Sequence, residues 1–502
     1  MESNQKIQSK NTINKLSENR GFFVIVQQFF VKGIAHSSYI LAGKESCAVI
    51  DPRRDTEIYL EAAGALGVKV THILETHLHA DFVSGHLDLA EVTGAKIYAP
   101  KAGNCEFEHV GLVEGDSFEL EDMVIKVLET PGHTPEHISY VVSDTSRGPD
   151  PVALFCGDTL FVGDVGRPDL FPGRARELAA KLHDSLYQKL LYLPDSCEVY
   201  PAHGAGSLCG RNMGVKRTST IGYEKKYNYA LQMPDREEFI KALTTDMPEA
   251  PDHFSRCSAV NREGPVLLKE LPFMRAVPPQ EFLELSGRHD TLVLDTRCYE
   301  GFGGEHVPGS CSIDIGGNFG TFAGWLLPSD KKILLVSYNE AHTRKAACWL
   351  HRVGLDRIFG YLDGGMFAWV TAGLSTEHVP QLSIPELYAR VLKDKPPVIV
   401  DVRASSEYEK FHMENALNIP VQDLRTRYTE LDPEAETVLI CSTGHRSSMG
   451  CSILKQHGFK KVCNAAGGMT GVNAAGFGPE CPMCSLSWAG DLGKNPGPVG
   501  SD

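Results

Sequence analysis

The stretch that most constrains this chain is Thr76-His77-Leu78-His79-Ala80-Asp81-Phe82-Val83-Ser84-Gly85-His86. Residues 70–75 before it are apolar, β-branched and few, the pattern of a short buried strand. Residues 85–90 after it carry the apolar spacing of a helix start. Between them, two imidazoles and a carboxylate stand at alternate positions of a strand-to-helix loop. Alternate residues of an extended chain point the same way, so His77, His79 and Asp81 can converge on one point. Neutral imidazole and carboxylate together suit zinc or ferrous iron.

The same arrangement recurs three times. Thr130-Pro131-Gly132-His133, Cys156-Gly157-Asp158-Thr159 and Tyr200-Pro201-Ala202-His203 each place one His or Asp just after a short apolar strand, predicted at 124–128, 152–155 and 199–200. This order of strand-end ligands resembles the metallo-β-lactamase fold, an αββα sandwich with its metal site at one edge. The resemblance covers about residues 21–243. One position departs from it. The usual motif is His-x-His-x-Asp-His, and Phe82 stands where the last histidine would be. A phenyl ring cannot ligate, which argues for one metal rather than two. The mononuclear branch that the chain resembles is the persulfide dioxygenase type. That resemblance implies one Fe(2+) per chain on His77, His133 and Asp158. It leaves His79, Asp81 and His203 to orient those ligands or to donate to substrate.

Two further residues lie on loops beside this site. Arg167, in Val165-Gly166-Arg167-Pro168-Asp169, is either a clamp on a substrate carboxylate or a structural ion-pair partner. Cys209, in Gly206-Ser207-Leu208-Cys209-Gly210-Arg211, is either a small buried hydrophobe or a thiol that handles sulfur. For the second reading, a glycine-rich loop would be exposed and Arg211 would favour a thiolate.

Past residues 246–275, which read as a linker, the chain repeats itself. Leu292-Val293-Leu294-Asp295-Thr296-Arg297 mirrors Val398-Ile399-Val400-Asp401-Val402-Arg403. His306 and Ile313 recur as His412 and Ile419, and Gly364-Gly365-Met366 recurs as Gly467-Gly468-Met469. Alternating strands and helices in each copy imply two small parallel α/β domains, expected at 276–378 and 379–478. These signatures resemble the rhodanese fold. In the second copy a strand delivers Cys441-Ser442-Thr443-Gly444-His445-Arg446-Ser447 into a helix. Backbone N–H groups and the helix N-terminus would surround that sulfur, favour a thiolate and cradle an anion, with Arg446 adding positive charge. In the first copy Ser337 stands at the position of the thiol, so that copy is expected to be structural or to serve docking.

Composition narrows the setting. A net charge of -15 disfavours nucleic-acid binding. No apolar run approaches the roughly 18 residues of a membrane span, and no leader pattern opens the chain. Residues 1–20 read as a flexible tail. Fourteen cysteines without framework spacing suit a reducing cytoplasm. The lone Cys481-Pro482-Met483-Cys484 in the tail at 479–502 lacks the two further ligands that zinc would need.

The fold class expected is α/β: a metallo-β-lactamase αββα sandwich at 21–245 followed by two rhodanese-like parallel α/β domains. The expected function is a persulfide dioxygenase that oxidises a low-molecular-weight thiol persulfide with O2 to sulfite. Rhodanese transfer at Cys441 would then give thiosulfate, and fusion would keep sulfite close to its acceptor. A homo-oligomer is expected. Two other classes stay open: a zinc thiolester hydrolase of the glyoxalase II type, and a regulatory protein that senses persulfides through Cys441 and Cys209.

Overall fold

The computed structural model describes residues 24–247 and 249–477. The expected tail at 1–20 and the pair Cys481 and Cys484 lie outside the described residues. The chain divides into two compact units. The first runs to Leu271 and includes 320–329 and 347–356; the second holds the rest.

In the first unit two six-stranded sheets stack. One runs in the order β1 (Ile25–Val31), β2 (His36–Ala42), β3 (Ser46–Ile50), β4 (Lys69–Leu74), β5 (Lys96–Pro100), β6 (Val110–Leu112). The other holds β7 (Ser117–Leu120), β8 (Met123–Glu129), β9 (Ile138–Asp144), β10 (Pro151–Gly157), β11 (Glu198–Pro201) and β12 (Ser219–Thr220), each beside its sequence neighbour. Period-two alternation explains the stacking. On β2, Tyr39 and Leu41 face the opposite sheet and meet Ile125, Val127 and Phe155. Ile40 and Ala42 face outward and are covered by Tyr59 and Ala63 of α1 (Glu57–Leu66) and Leu89 of α2 (His86–Thr93). On the other side Val141 and Leu154 are covered by Leu182 and Leu186 of α3 (Ala175–Gln188). The result is the expected αββα order.

The stretch read as a linker contains a helix, α4 (His253–Glu263), which corrects that expectation. Phe254, Cys257 and Asn261 recur at helical spacing and are all buried, so one face of α4 is anchored inside this unit. Within the expected domain at 276–378, the segments 320–329 and 347–356 pack with the first unit.

The second unit holds two five-stranded sheets, with every strand pair parallel. The first copy contains β13 (Arg275–Val277), β14 (Thr291–Asp295), β15 (Cys311–Ser312), β16 (Lys332–Val336) and β17 (Ile358–Leu362), in the order β13-β17-β16-β14-β15. The second contains β18 (Gln381–Leu382), β19 (Val398–Asp401), β20 (Leu417–Asn418), β21 (Thr437–Ile440) and β22 (Val462–Ala465), in the equivalent order β18-β22-β21-β19-β20. The repeated signatures are structural. Arg297 folds back on Asp295 and Arg403 on Asp401, each with its closest contact at 2.6 Å. His306 meets the Phe302 carbonyl and His412 the Tyr408 carbonyl, both at 2.8 Å. Sequence symmetry here records a shared scaffold, on which only the second copy places a thiol at the position of Cys441.

Candidate metal centre and sulfur-transfer loop

The loop after β4 is pinned from both ends. Asp51, just past β3, accepts the Thr76 amide at 2.8 Å and the Thr76 hydroxyl at 3.0 and 3.1 Å. The Asn261 amide of α4 donates to the carbonyls of His79 and Phe82, both at 2.8 Å, and accepts the Ser84 N–H at 2.8 Å. The imidazoles therefore hang from a backbone with little freedom.

His77, His133 and Asp158 come together at the end of the sandwich, with one ligand atom of each within 4.8 Å of the others and all three buried. His133 Nε2 is 3.3 Å and His77 Nε2 3.8 Å from Asp158 Oδ2. His133 Nδ1–H donates to the Arg167 carbonyl at 2.9 Å, which leaves Nε2 with a lone pair. Neither Nε2 has a hydrogen-bond partner, although both are sealed from water. Burial pushes both imidazoles below their ordinary range, so they stay neutral and able to donate electron pairs. Burial would raise Asp158, but His203 and His133 outweigh it and hold the carboxyl well below the usual range. Two neutral imidazoles with orphaned nitrogens and one carboxylate fit a divalent transition metal.

Around this set the structure places the remaining expected residues. His203 bridges two carboxylates, with Nδ1 2.7 Å from Asp158 and Nε2 2.8 Å from Asp81. Burial disfavours its charge, yet the two carboxylates prevail and raise it well above the ordinary value. His79 lies beside His77, with ring centroids 4.2 Å apart, and aims its Nε2 at Asp51, 3.1 Å away, and at Glu75, 3.7 Å away. Phe82 fills the place of the missing histidine; it is fully buried, and its ring lies 4.0 Å from that of His36 and 4.4 Å from that of His79. Cys209 does reach the site, grouped within 4.8 Å of Asp81 and His203.

For two residues the sequence left alternatives open. The Arg167 guanidinium forms the ion pair: it is buried against Asp169, with two bonds of 2.7 Å, and donates to the Leu208 carbonyl at 3.1 Å. Cys209 is 1% exposed among Ala80, Phe161 and Phe254. Burial, followed by Asp81 and Asp158, pushes its thiol well above the ordinary value. Arg211 cannot offset this, because its guanidinium is spent on the carbonyls of Ala242 and Thr245.

Sequence reasoning missed three contributors. His137 accepts the Asp158 amide at 2.9 Å and so fixes the backbone of the candidate carboxylate ligand. A Cβ on Gly157 would come within 2.5 Å of both His137 and Thr76, so only glycine admits that approach. His36 is fully buried with both ring nitrogens unpartnered, and Glu75 meets His79, His86 and Ser84. The His137 signal was present in Thr130-Pro131-Gly132-His133-Thr134-Pro135-Glu136-His137; His36 and Glu75 had none.

In the second unit, Cys441 sits where β21 gives way to α6 (His445–Gln456), and Tyr299 of α5 (Tyr299–Gly304) in the first copy lies over Gly444. Its Sγ accepts the Gly444 N–H at 3.1 Å and faces the Ser447 hydroxyl at 3.3 Å. The Met469 amide donates to the Cys441 carbonyl at 2.7 Å, and a Cβ on Gly468 would collide with that carbonyl. Arg446 is paired: its guanidinium holds Glu407 at 2.6 and 2.8 Å and the Ser442 hydroxyl at 2.6 Å. The positive charge expected of it is therefore largely balanced by a carboxylate absent from the sequence reading. In the first copy Ser337 hydrogen-bonds Thr296 at 2.8 Å.

Among the described residues, no helix is long and apolar enough to cross a membrane. The family description "Metallo-beta-lactamase superfamily" matches residues 31–203, and "Rhodanese-like domain" matches 278–372 and 383–475. The mouse protein named Persulfide dioxygenase ETHE1, mitochondrial, is 30% identical over 229 residues, which cover 44% of this chain and 80% of that protein. Hydroxyacylglutathione hydrolase of Rhodospirillum rubrum is 41% identical over 160 residues, covering 32% of this chain and 57% of the hydrolase. The chain thus spans little more than half of that relative. The crystal structure of a metallo-beta-lactamase from Staphylococcus aureus subsp. aureus COL matches with 33% identity and a TM-score of 0.61, covering 68% of this chain and 99% of that one. By fold, site and similarity, this chain belongs to the metallo-β-lactamase superfamily and carries two rhodanese-like domains after that fold.

Proposed function

We propose that the chain is a persulfide dioxygenase coupled to sulfur transfer, with Fe(2+) held by His77, His133 and Asp158. The observation that carries this reading is a three-residue donor set with two orphaned imidazole nitrogens, beside which Phe82 occupies the place of a further metal ligand. Bound iron would let electrons pass from the persulfide sulfur to O2. The net reaction is RS-SH + O2 + H2O giving RSH, sulfite and two protons. The protein's own groups do the rest. The Arg167 carbonyl and Thr76 orient the two imidazoles, and His203 stores a proton between Asp81 and Asp158. Phe82, His36 and the apolar wall around Cys209 exclude water from this end of the site.

At the second site, the Cys441 thiolate takes the outer sulfur of a persulfide, releasing RSH. The sulfite sulfur lone pair then bonds to that sulfane sulfur, the Cys441 S–S bond breaks, and its electron pair returns to the Cys441 thiolate. Thiosulfate leaves, and no external oxidant is consumed.

A zinc thiolester hydrolase is the second reading, favoured by the identity to the hydroxyacylglutathione hydrolase. Metal reconstitution separates the two. The proposal expects O2 uptake on a glutathione or coenzyme A persulfide with iron, and little thiolester hydrolysis with zinc. Brisk hydrolysis with zinc and no O2 uptake with iron would refute it.

A further inference from the structure

Inside the second unit, the first copy reaches the Cys441 loop of the other. With Arg446 committed to Glu407, the cation left at the mouth of that loop among the described residues is His445, the first residue of α6. Its Nδ1 lies 2.9 Å from Oδ2 of Asp314, which belongs to the first copy and is itself held by the Gly316 amide at 2.7 Å. The Asp314 side chain is 8% exposed and that of His445 36%, so the carboxylate is buried behind a ring that still meets solvent. Tyr299, also of the first copy, sets its ring edge-on to His445 at 5.2 Å and lies over Gly444, where a Cβ would come within 3.0 Å of the phenol. Ser312 of the first copy meets Ser448 on the same helix at 3.1 Å, which fixes the register of the two copies around α6.

We propose that Asp314 and Tyr299 of the first copy complete a subsite for a small sulfur oxyanion, sulfite, at the mouth of the Cys441 loop, with Asp314 positioning His445 as its cationic wall. This rests on the sulfur-transfer reading above and deepens it. It gives the first copy a role that needs no thiol. The partner carboxylate, followed by opposing burial, sets His445 above its ordinary value, with Glu300 adding to the effect. The charged groups facing the pair are Asp314 and Glu300 from the first copy, His342 beside Asp314, and the Arg446–Glu407 pair on the loop's other side. The sign follows: the imidazolium is present below its raised value and is lost as pH rises through it.

The test uses the full chain under anaerobic conditions, so that O2 chemistry is silent, with glutathione persulfide as donor and sulfite as acceptor. Thiosulfate formation is read as KM for sulfite and kcat across pH. Asp314→Asn should raise KM for sulfite about tenfold, as expected for loss of a charge-assisted contact, with kcat within about twofold. The alkaline rise in KM should move to lower pH; comparing variants cancels the titration of sulfite itself. His445→Gln, a substitution at a partly exposed position, should reproduce the KM effect even if Asp314→Asn folds poorly. Asp314→Glu and His445→Lys should restore most of the affinity. An unchanged KM in both Asp314→Asn and His445→Gln, or a fall in kcat alone, would overturn the subsite while leaving sulfur transfer standing. A parent chain that forms no thiosulfate would overturn the transfer reading and this inference with it.

Discussion

Arg167→Met strands a carboxylate. The guanidinium is 2% exposed and holds Asp169 through two 2.7 Å bonds, while the Asp169 side chain is 22% exposed. Removing one partner of a buried ion pair costs about 3–5 kcal/mol. Because Asp169 keeps some access to water, the lower end applies, about 3 kcal/mol. For a unit of this size that lowers Tm by roughly 5 °C. Scanning calorimetry of the full chain should show the shift in one transition only, that of the first unit. Replacing Asp169 as well, with leucine, should recover more than half of the loss, since no charge is then left alone. KM for persulfide should stay within about twofold, because the guanidinium is engaged by Asp169 and the Leu208 carbonyl. A Tm within about 2 °C of the parent together with a KM raised tenfold would refute this and restore the clamp.

Three other outcomes follow from the geometry. His77→Ala, His133→Ala or Asp158→Ala should each abolish bound metal and persulfide-dependent O2 uptake, because a three-residue donor set cannot spare a ligand; metal analysis of the purified variants checks this. Cys209→Ser should lower turnover with metal content intact, since the thiol reaches Asp81 and His203 rather than the three-residue set; unchanged O2 uptake would reduce Cys209 to packing. Ser337→Ala should change neither the rate nor the ratio of sulfite to thiosulfate, because that hydroxyl serves Thr296.

The fold was legible because its ligands sit at strand ends and its strands alternate with period two. Tyr39 and Leu41 against Ile40 and Ala42 is a pattern that a linear sequence carries openly. The two repeats were legible from Asp295, Arg297, Asp401 and Arg403, residues that act locally within each copy. What escaped depends on contacts between distant segments. Asn261 on α4 tethers a loop about 180 positions earlier, yet its surroundings look like a polar linker. Arg167 and Arg446 were recognised as functional types, but Asp169 and Glu407 consume their charge, and sequence order does not reveal which acid an arginine will find. Cys209 shows the same limit from the other side: glycine neighbours suggested exposure, and packing against Phe161 and Phe254 buried it.

The central claim is that one site oxidises persulfide sulfur with O2 and the other passes sulfane sulfur to the product. The most direct measurement is the O2 consumed per product formed, on an oxygen electrode, by the iron-loaded Cys441→Ser chain given glutathione persulfide. The serine hydroxyl keeps the loop but is too weakly acidic to act as the thiolate does, and the metal ligands lie in the other compact unit. The account predicts one O2 consumed per sulfite released and no thiosulfate beyond the uncatalysed background, whereas the parent yields thiosulfate at one O2 per two persulfides. Thiosulfate at the parent rate from Cys441→Ser, or no O2 uptake while iron is bound, would contradict it.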